Sequence, residues 1–169
     1  NGYKYLGEDI VNHCINEILC RGATPITFMD YYGCHKLNSE SLENYLIGVS
    51  KSCIKYNCCI TSGKTIEIED VYEYNTNELI GSITGIVDRK HIINGKSKIK
   101  NGDICIGLHC SGPNHDVYSL IRKLFIDKKH FFTKEIIEEL VIPIKCYLRD
   151  ITTIRKLNIP INGLCYMKS

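Results

Sequence analysis

Between Asp9 and Arg21, apolar side chains recur every three or four positions, at Val11, Cys14, Ile15, Ile18 and Leu19. That spacing lays one apolar stripe along a helix, with Gly22 as its stop; Pro25 cannot continue it. Ile26–Tyr32 reads as a buried strand. Asn38 or Ser39 can cap a second helix carrying Leu42, Tyr45, Leu46, Val49 and Cys53 on one face. Cys58–Thr61 is a short apolar strand running into Ser62-Gly63-Lys64-Thr65, which reads as a turn with a charged tip. Ile66-Glu67-Ile68-Glu69 alternates like an edge strand, Asn75–Asn77 marks a turn, and Leu79–Val87 predicts a longer strand.

A polar stretch, Lys90–Lys100, then ends in the tight-turn dipeptide Asn101-Gly102. It is the natural boundary between a first domain over residues 1–100 and the beginning of a second over residues 101–169. Beyond it the pattern predicts a strand at Asp103–Leu108, then a helix around Tyr118–Phe125 with Leu120, Ile121, Leu124 and Phe125 as its core stripe. Further helices are predicted at about Thr133–Leu140 and Asp150–Leu157. Between strand and helix lies Gly107-Leu108-His109-Cys110-Ser111-Gly112-Pro113-Asn114-His115-Asp116. A small-residue turn opening a helix leaves backbone N–H groups free to face an anion, and the helix dipole favours negative charge there.

Composition narrows the class. With 44% hydrophobic and 24% charged residues among 169, the chain reads as a soluble globular protein. A net charge of +2 argues for neither nucleic acid nor an anionic membrane. No apolar run is long enough to span a bilayer. The ten cysteines contain no Cys-x-x-Cys pair, and several occupy apolar helix or strand positions. They read as reduced thiols of a cytoplasmic protein rather than as a disulfide framework or zinc site.

Several residues invite chemistry. Ser62-Gly63-Lys64-Thr65 looks like part of a P-loop, but the required glycine five places before Gly63 is Cys58, and no helix pattern follows. Asp9, Asn16 and Glu17 lie on the first helix, where they serve either as a solvated face with Asp9 as cap, or as a Mg²⁺ and phosphate site. Glu67 and Glu69 would share one strand face, either simply wet or facing metal-bridged phosphates. His115 and Asp116 stand in the loop; a histidine beside phosphate acts as an acid or an electrostatic partner. His109 and Cys110 are adjacent, so their side chains diverge on an extended segment and a thiol nucleophile is disfavoured.

Three stretches together resemble the aminoimidazole ribonucleotide synthetase family, the phosphoribosylformylglycinamidine cyclo-ligases. The first is Gly7–Leu37, with Asp9-Ile10-Val11, Cys14-Ile15-Asn16-Glu17, Gly22-Ala23-Thr24-Pro25 and Phe28-Met29-Asp30-Tyr31-Tyr32. The second runs from Gly63 to Gly85, with Thr65, Glu67, Tyr72 and Gly81. The third is Gly107–Lys123, with Ser111-Gly112-Pro113 and Tyr118-Ser119-Leu120-Ile121-Arg122-Lys123. The resemblance implies an α+β fold: an N-terminal mixed sheet with helices, plus the start of a C-terminal α/β domain. It also implies a homodimer formed through the N-terminal sheets, with ATP between the domains.

The implied reaction is the ATP-dependent ring closure of formylglycinamidine ribonucleotide to aminoimidazole ribonucleotide, with Mg²⁺. By this resemblance Asp9, Glu17 and Glu67 face the metal. Asn16, Gly63, Lys64, Thr65, Ser111 and Gly112 line the ATP phosphates, and His115 and Asp116 are the catalytic pair. The sequence departs from the family at Glu17 (an aspartate in the family), Lys64 (glutamate), Asn114 (histidine), Asp116 (asparagine) and Lys145 (arginine). Those departures keep open a second reading, a catalytically inactive homologue acting in dimerisation. A third, formylglycinamidine synthase of the same superfamily, is disfavoured by the Tyr118–Lys123 run.

Overall fold

The first helix, α1, spans Gly2–Leu19 and so begins seven residues before the point the apolar spacing predicts. A computed structural model, describing residues 2–128 and 131–167, places it across a second helix, α2, at Ser39–Lys55. Gly2 and Gly7 weaken the local helix signal. Packing overrides it: Gly7 and Gly48 are the points where the two backbones touch. At its other end α1 is closed by Gly22, whose φ of +86° only glycine adopts cheaply. The Gly22 amide donates to the Leu19 carbonyl at 2.8 Å and the Ala23 amide to the Ile18 carbonyl at 3.2 Å. That pair of bonds is the Schellman closure.

Strand β1 spans Thr24–Cys34, β2 spans Cys59–Glu67 and β3 spans Asn77–Ile86. They form one mixed sheet in the order β2-β1-β3, with β2 parallel and β3 antiparallel to the central β1. The parallel pair is joined through α2, as a parallel connection requires. Asn38 caps α2, its side chain accepting from the Ser41 amide at 2.9 Å, as expected from sequence. α1 and α2 cover one face of the sheet. Phe28, Tyr32 and Cys34 of β1 point into that layer and meet Val11, Ile15 and Leu19 of α1 and Tyr45, Val49 and Cys53 of α2. The Tyr32 and Tyr45 rings pack tilted, centroids 5.5 Å apart. Leu46, expected on the buried face of α2, is instead exposed, and Ser52 and Gly48 are buried in its stead.

Two strand expectations are corrected. Ser62–Thr65 is not a turn: it lies inside β2, in parallel register with Met29–Tyr32. The ladder to β1 supplies what the local sequence does not. Asp103–Leu108 forms no strand; among the described residues no neighbouring strand pairs with it, and a strand needs a ladder partner. Ile104 and Ile106 are 87% and 78% exposed there.

After β3 come a 3-10 turn at Arg89–His91 and a short helix, α3, at Gly95–Lys98. A second 3-10 turn, His115–Val117, leads into α4 at Tyr118–Asp127; α5 follows at Lys134–Leu140 and α6 at Leu148–Lys156. Leu120, Leu124 and Phe125, expected as a core stripe, remain exposed on α4, although the Phe125 ring packs edge-on against that of Phe132, centroids 5.1 Å apart. By contrast Cys146, Leu148 and Ile151 join the core formed by α1, α2 and β1. The chain beyond residue 143 therefore returns to the first layer.

Candidate functional site

That return is held by a row of polar side chains on α1. Asp9, Asn12 and Asn16 are three and four positions apart and share one helix face. Asp9 Oδ1 accepts from the Ile144 amide at 2.6 Å, and Asn12 Nδ2 donates to the Ile144 carbonyl at 2.8 Å. Asn16 Nδ2 donates to the Lys145 carbonyl at 2.9 Å, while its Oδ1 accepts from the Tyr147 amide at 3.0 Å. Asn12 Oδ1 accepts from Ser52 Oγ of α2 at 2.7 Å. Residues 144–147 are thus gripped like the edge of a sheet, by side chains instead of a strand. Buried backbone groups demand such partners.

The small-residue loop attaches to the same segment. Ser111 Oγ donates to the Pro143 carbonyl at 3.2 Å, and the Tyr147 hydroxyl donates to the His109 carbonyl at 3.0 Å. Asn114 Nδ2 donates to the Met167 carbonyl at 2.7 Å, and the Tyr166 hydroxyl donates to Asn114 Oδ1 at 3.3 Å. The Tyr166 ring lies 5.7 Å from that of His13 on α1. Burial pushes the Tyr166 hydroxyl pKa up, partly offset by hydrogen bonding with Asn16 and Asn114. The first and third sequence stretches therefore meet at one place. Asp9 and Ser111 bind the two sides of the Pro143–Ile144 peptide group, and Asn16 and Asn114 share Tyr166.

The loop leaves room for a ligand. A Cβ at Gly107 or Gly112 would meet nothing within 4 Å. Ser111, Gly112 and Asp116 are exposed. Val117, the residue before the ten-residue α4, makes no side-chain cap bond, and the 3-10 turn His115–Val117 extends the helical run back to Asn114, whose carbonyl accepts from the Val117 amide at 3.1 Å. His115 lies in the 3-10 turn just before α4; its side chain is outside what the structure describes.

The second stretch is placed elsewhere. Gly63, Lys64 and Thr65 are exposed positions in the middle of β2, opposite Asp30, Tyr31 and Tyr32. Strand alternation puts Gly63, Thr65 and Glu67 on one face and Lys64 on the other. Glu67 ends β2 opposite Cys34, whose thiol pKa is raised by burial and then by the Glu67 charge. Glu69 falls beyond the strand, and its carbonyl, like that of Tyr72, is bonded to His35 Nδ1, which must therefore carry the proton. Glu17 lies on α1 with its carboxylate 3.7 Å from His13 Nε2. Asp9, Glu17 and Glu67 do not gather: among the described residues no three acidic, histidine or cysteine side chains are arranged to hold one metal ion. As placed, these three acids do not fit a Mg²⁺ site.

Four participants escaped the sequence reading. Asn12 has the clearest signal, an amide one turn from Asn16 and in line with Asp9, inside a helix that disfavours it. Tyr147 and Tyr166 carry no local signal. Asp30 points from β1 into the helical layer, and its carboxylate fills the space that a side chain on Gly63 would need. Burial raises the Asp30 pKa, and the nearby Tyr45 hydroxyl offsets part of that rise.

A mixed sheet layered by two helices, followed by a glycine-bearing loop tied back to the first helix, defines the class. Residues 2–87 match the family described as AIR synthase related protein, N-terminal domain, and the chain belongs to that family. Among curated relatives, it is 42% identical over 159 residues to a phosphoribosylformylglycinamidine cyclo-ligase of Clostridium perfringens, covering 93% of this chain and 47% of that protein. A cyclo-ligase of the same description from Clostridium tetani is 36% identical over 166 residues, covering 98% and 50%. The chain thus spans about half the length of these relatives. Among solved structures, the hydrogenase maturation protein HypE of E. coli aligns with a TM-score of 0.65 at 18% identity, over 90% of this chain and 44% of its own. Thiamine monophosphate kinase of Aquifex aeolicus aligns at 0.62 and 15%, over 92% and 50%. At these identities the likeness shows the shared fold.

Proposed function

We propose that this chain is part of a phosphoribosylformylglycinamidine cyclo-ligase, working on formylglycinamidine ribonucleotide with ATP in a reducing cytoplasm. The observation that carries the reading is the junction at residues 143–147, where Asp9 and Asn16 of α1 and the Ser111 loop attach to one stretch of backbone. In the proposed division, residues 1–100 form the nucleotide-binding and dimerisation domain, and residues 101–169 begin the second.

Ring closure must remove an amide oxygen, a poor leaving group; ATP supplies the phosphoryl group that makes it a good one. The residues of this chain do the remainder. Amides of the loop around Ser111 and Gly112 and of the first turn of α4 receive phosphate charge. Asp116, exposed at the helix start, is the group to take up or release a proton, with His115 its neighbour in sequence. Lys64, expected at the phosphates, lies on the face of β2 turned away from Gly63, opposite Tyr31, and no phosphate contact is assigned to it. Mg²⁺ would accompany the nucleotide, but among the described residues the acids form no set for it. A thiamine monophosphate kinase of this fold has been captured with AMPPCP and TMP, and a HypE with ATP, which supports a nucleotide at this fold.

The uncovered face of the sheet, with Met29 and Tyr31 of β1 and Ile80 of β3, is the proposed contact between two copies. Ile80 is 51% exposed there. The test is thermal unfolding of the full-length protein with ATP or ADP and Mg²⁺. A rise in Tm is expected through preferential binding to the folded state. No shift at millimolar nucleotide overturns the reading.

A further inference from the structure

The loop carrying Ser111 and Gly112 has almost nothing of its own to hold its shape. Among the described residues no backbone–backbone hydrogen bond involves residues 104–113. Its tethers within that span are side-chain bonds, and both run to the segment gripped by α1: Ser111 to the Pro143 carbonyl, and Tyr147 to the His109 carbonyl. Tyr147 is fixed at both ends. Its amide is held by Asn16, and its ring lies 5.1 Å from Lys145 Nζ, itself 3.0 Å from the Asp150 carboxylate. Its hydroxyl then reaches across to the loop.

We propose that Tyr147 is a positioning residue for the phosphate loop: it transmits the rigid register of α1 to the His109–Gly112 backbone and so sets affinity for the nucleotide. The inference deepens the cyclo-ligase reading and rests on it. Tyr147 touches neither ATP nor the reacting amide; it acts through the His109 carbonyl. Burial raises its hydroxyl pKa, so the group remains a protonated donor at neutral pH.

The test is Tyr147→Phe in the full-length protein, which keeps the ring and removes one hydrogen bond. KM for ATP is expected to rise about fivefold, the equilibrium factor of one net hydrogen bond. KM for the ribonucleotide and the Tm should hardly move. Chymotryptic cleavage after Leu108, followed by mass spectrometry without nucleotide, should become several-fold faster as the loop loosens. A merely structural role would instead lower Tm and raise both KM values together, and that outcome overturns the proposal. So does an unchanged KM for ATP. If the wild-type full-length protein shows no ATP-dependent turnover, the cyclo-ligase reading falls, and the cleavage rate alone decides whether Tyr147 holds the loop.

Discussion

Gly7 of α1 and Gly48 of α2 lie against each other's helix backbone: a Cβ on Gly7 would collide with the Tyr45 carbonyl oxygen, and one on Gly48 with the Lys4 carbonyl oxygen. The two helices can approach this closely only because neither carries a side chain at the crossing. The same approach brings Glu8 within 2.7 Å of Lys51, and Asn12 within reach of Ser52. Gly48→Ala should therefore destabilise the fold by about 1–3 kcal/mol despite alanine's better helix propensity. Urea unfolding checks this; a stabilised variant would show that the crossing has slack.

Asn16 satisfies two backbone groups at once. Asn16→Ala strands the Lys145 carbonyl and the Tyr147 amide and should cost roughly 2–4 kcal/mol. Asn16→Asp should recover part of this, since a carboxylate accepts from the Tyr147 amide yet faces the Lys145 carbonyl without a donor. The order wild type, Asp, Ala in denaturation midpoints is the expected result.

Asp30 is the carboxylate whose ionisation the fold resists. Its folded pKa is raised above the unfolded value, so its contribution to stability is fully present below the unfolded value and is lost as pH climbs through the folded one. Asp30→Asn should raise Tm at pH 7, with the gain shrinking as pH falls toward 4. A gain that grows on acidification would contradict this environment.

Burial pushes the Cys14 thiol to about 11 and the Cys53 thiol to about 12. Both pKa values are raised, so their stabilising contribution is whole below the unfolded value near 9 and is lost between there and the folded values. Alkylation at pH 8 should mark the exposed Cys59, Cys105, Cys110 and Cys165 first and leave Cys14 and Cys53 to the end. Mass spectrometry over a time course reads the order.

On the open sheet face, Ile80→Asp should convert a dimer of the full-length protein to monomer with little change in the monomer's own fold, because the side chain is half exposed. Analytical ultracentrifugation measures the shift.

What the sequence revealed, and what it hid, follows from how far apart the partners lie. The second helix was legible in its own residues, through the Asn38 cap and the Tyr45, Val49, Cys53 face. So was the turn at Asn75, whose φ is +61°. The first two turns of α1 were not, since Gly7, which weakens the local signal, is the residue the crossing requires. Ser62–Thr65 has turn composition, and only the ladder to β1 makes it strand. Asp9 and Asn16 stood out as polar residues beside the apolar stripe of the helix. Their grip on Ile144 and Lys145, 135 and 129 positions away, has no local pattern at all.

The unpaired stretch at Ile104–Ile106 bears on how such a chain behaves in the laboratory. Backbone amides without a ladder beside two nearly naked isoleucines make an adhesive edge, and a net charge of +2 offers little mutual repulsion. Expressed in isolation, the 169-residue polypeptide is expected to precipitate as its concentration rises. Replacing Ile104 and Ile106 with lysine should keep it in solution without touching the sheet or its helices.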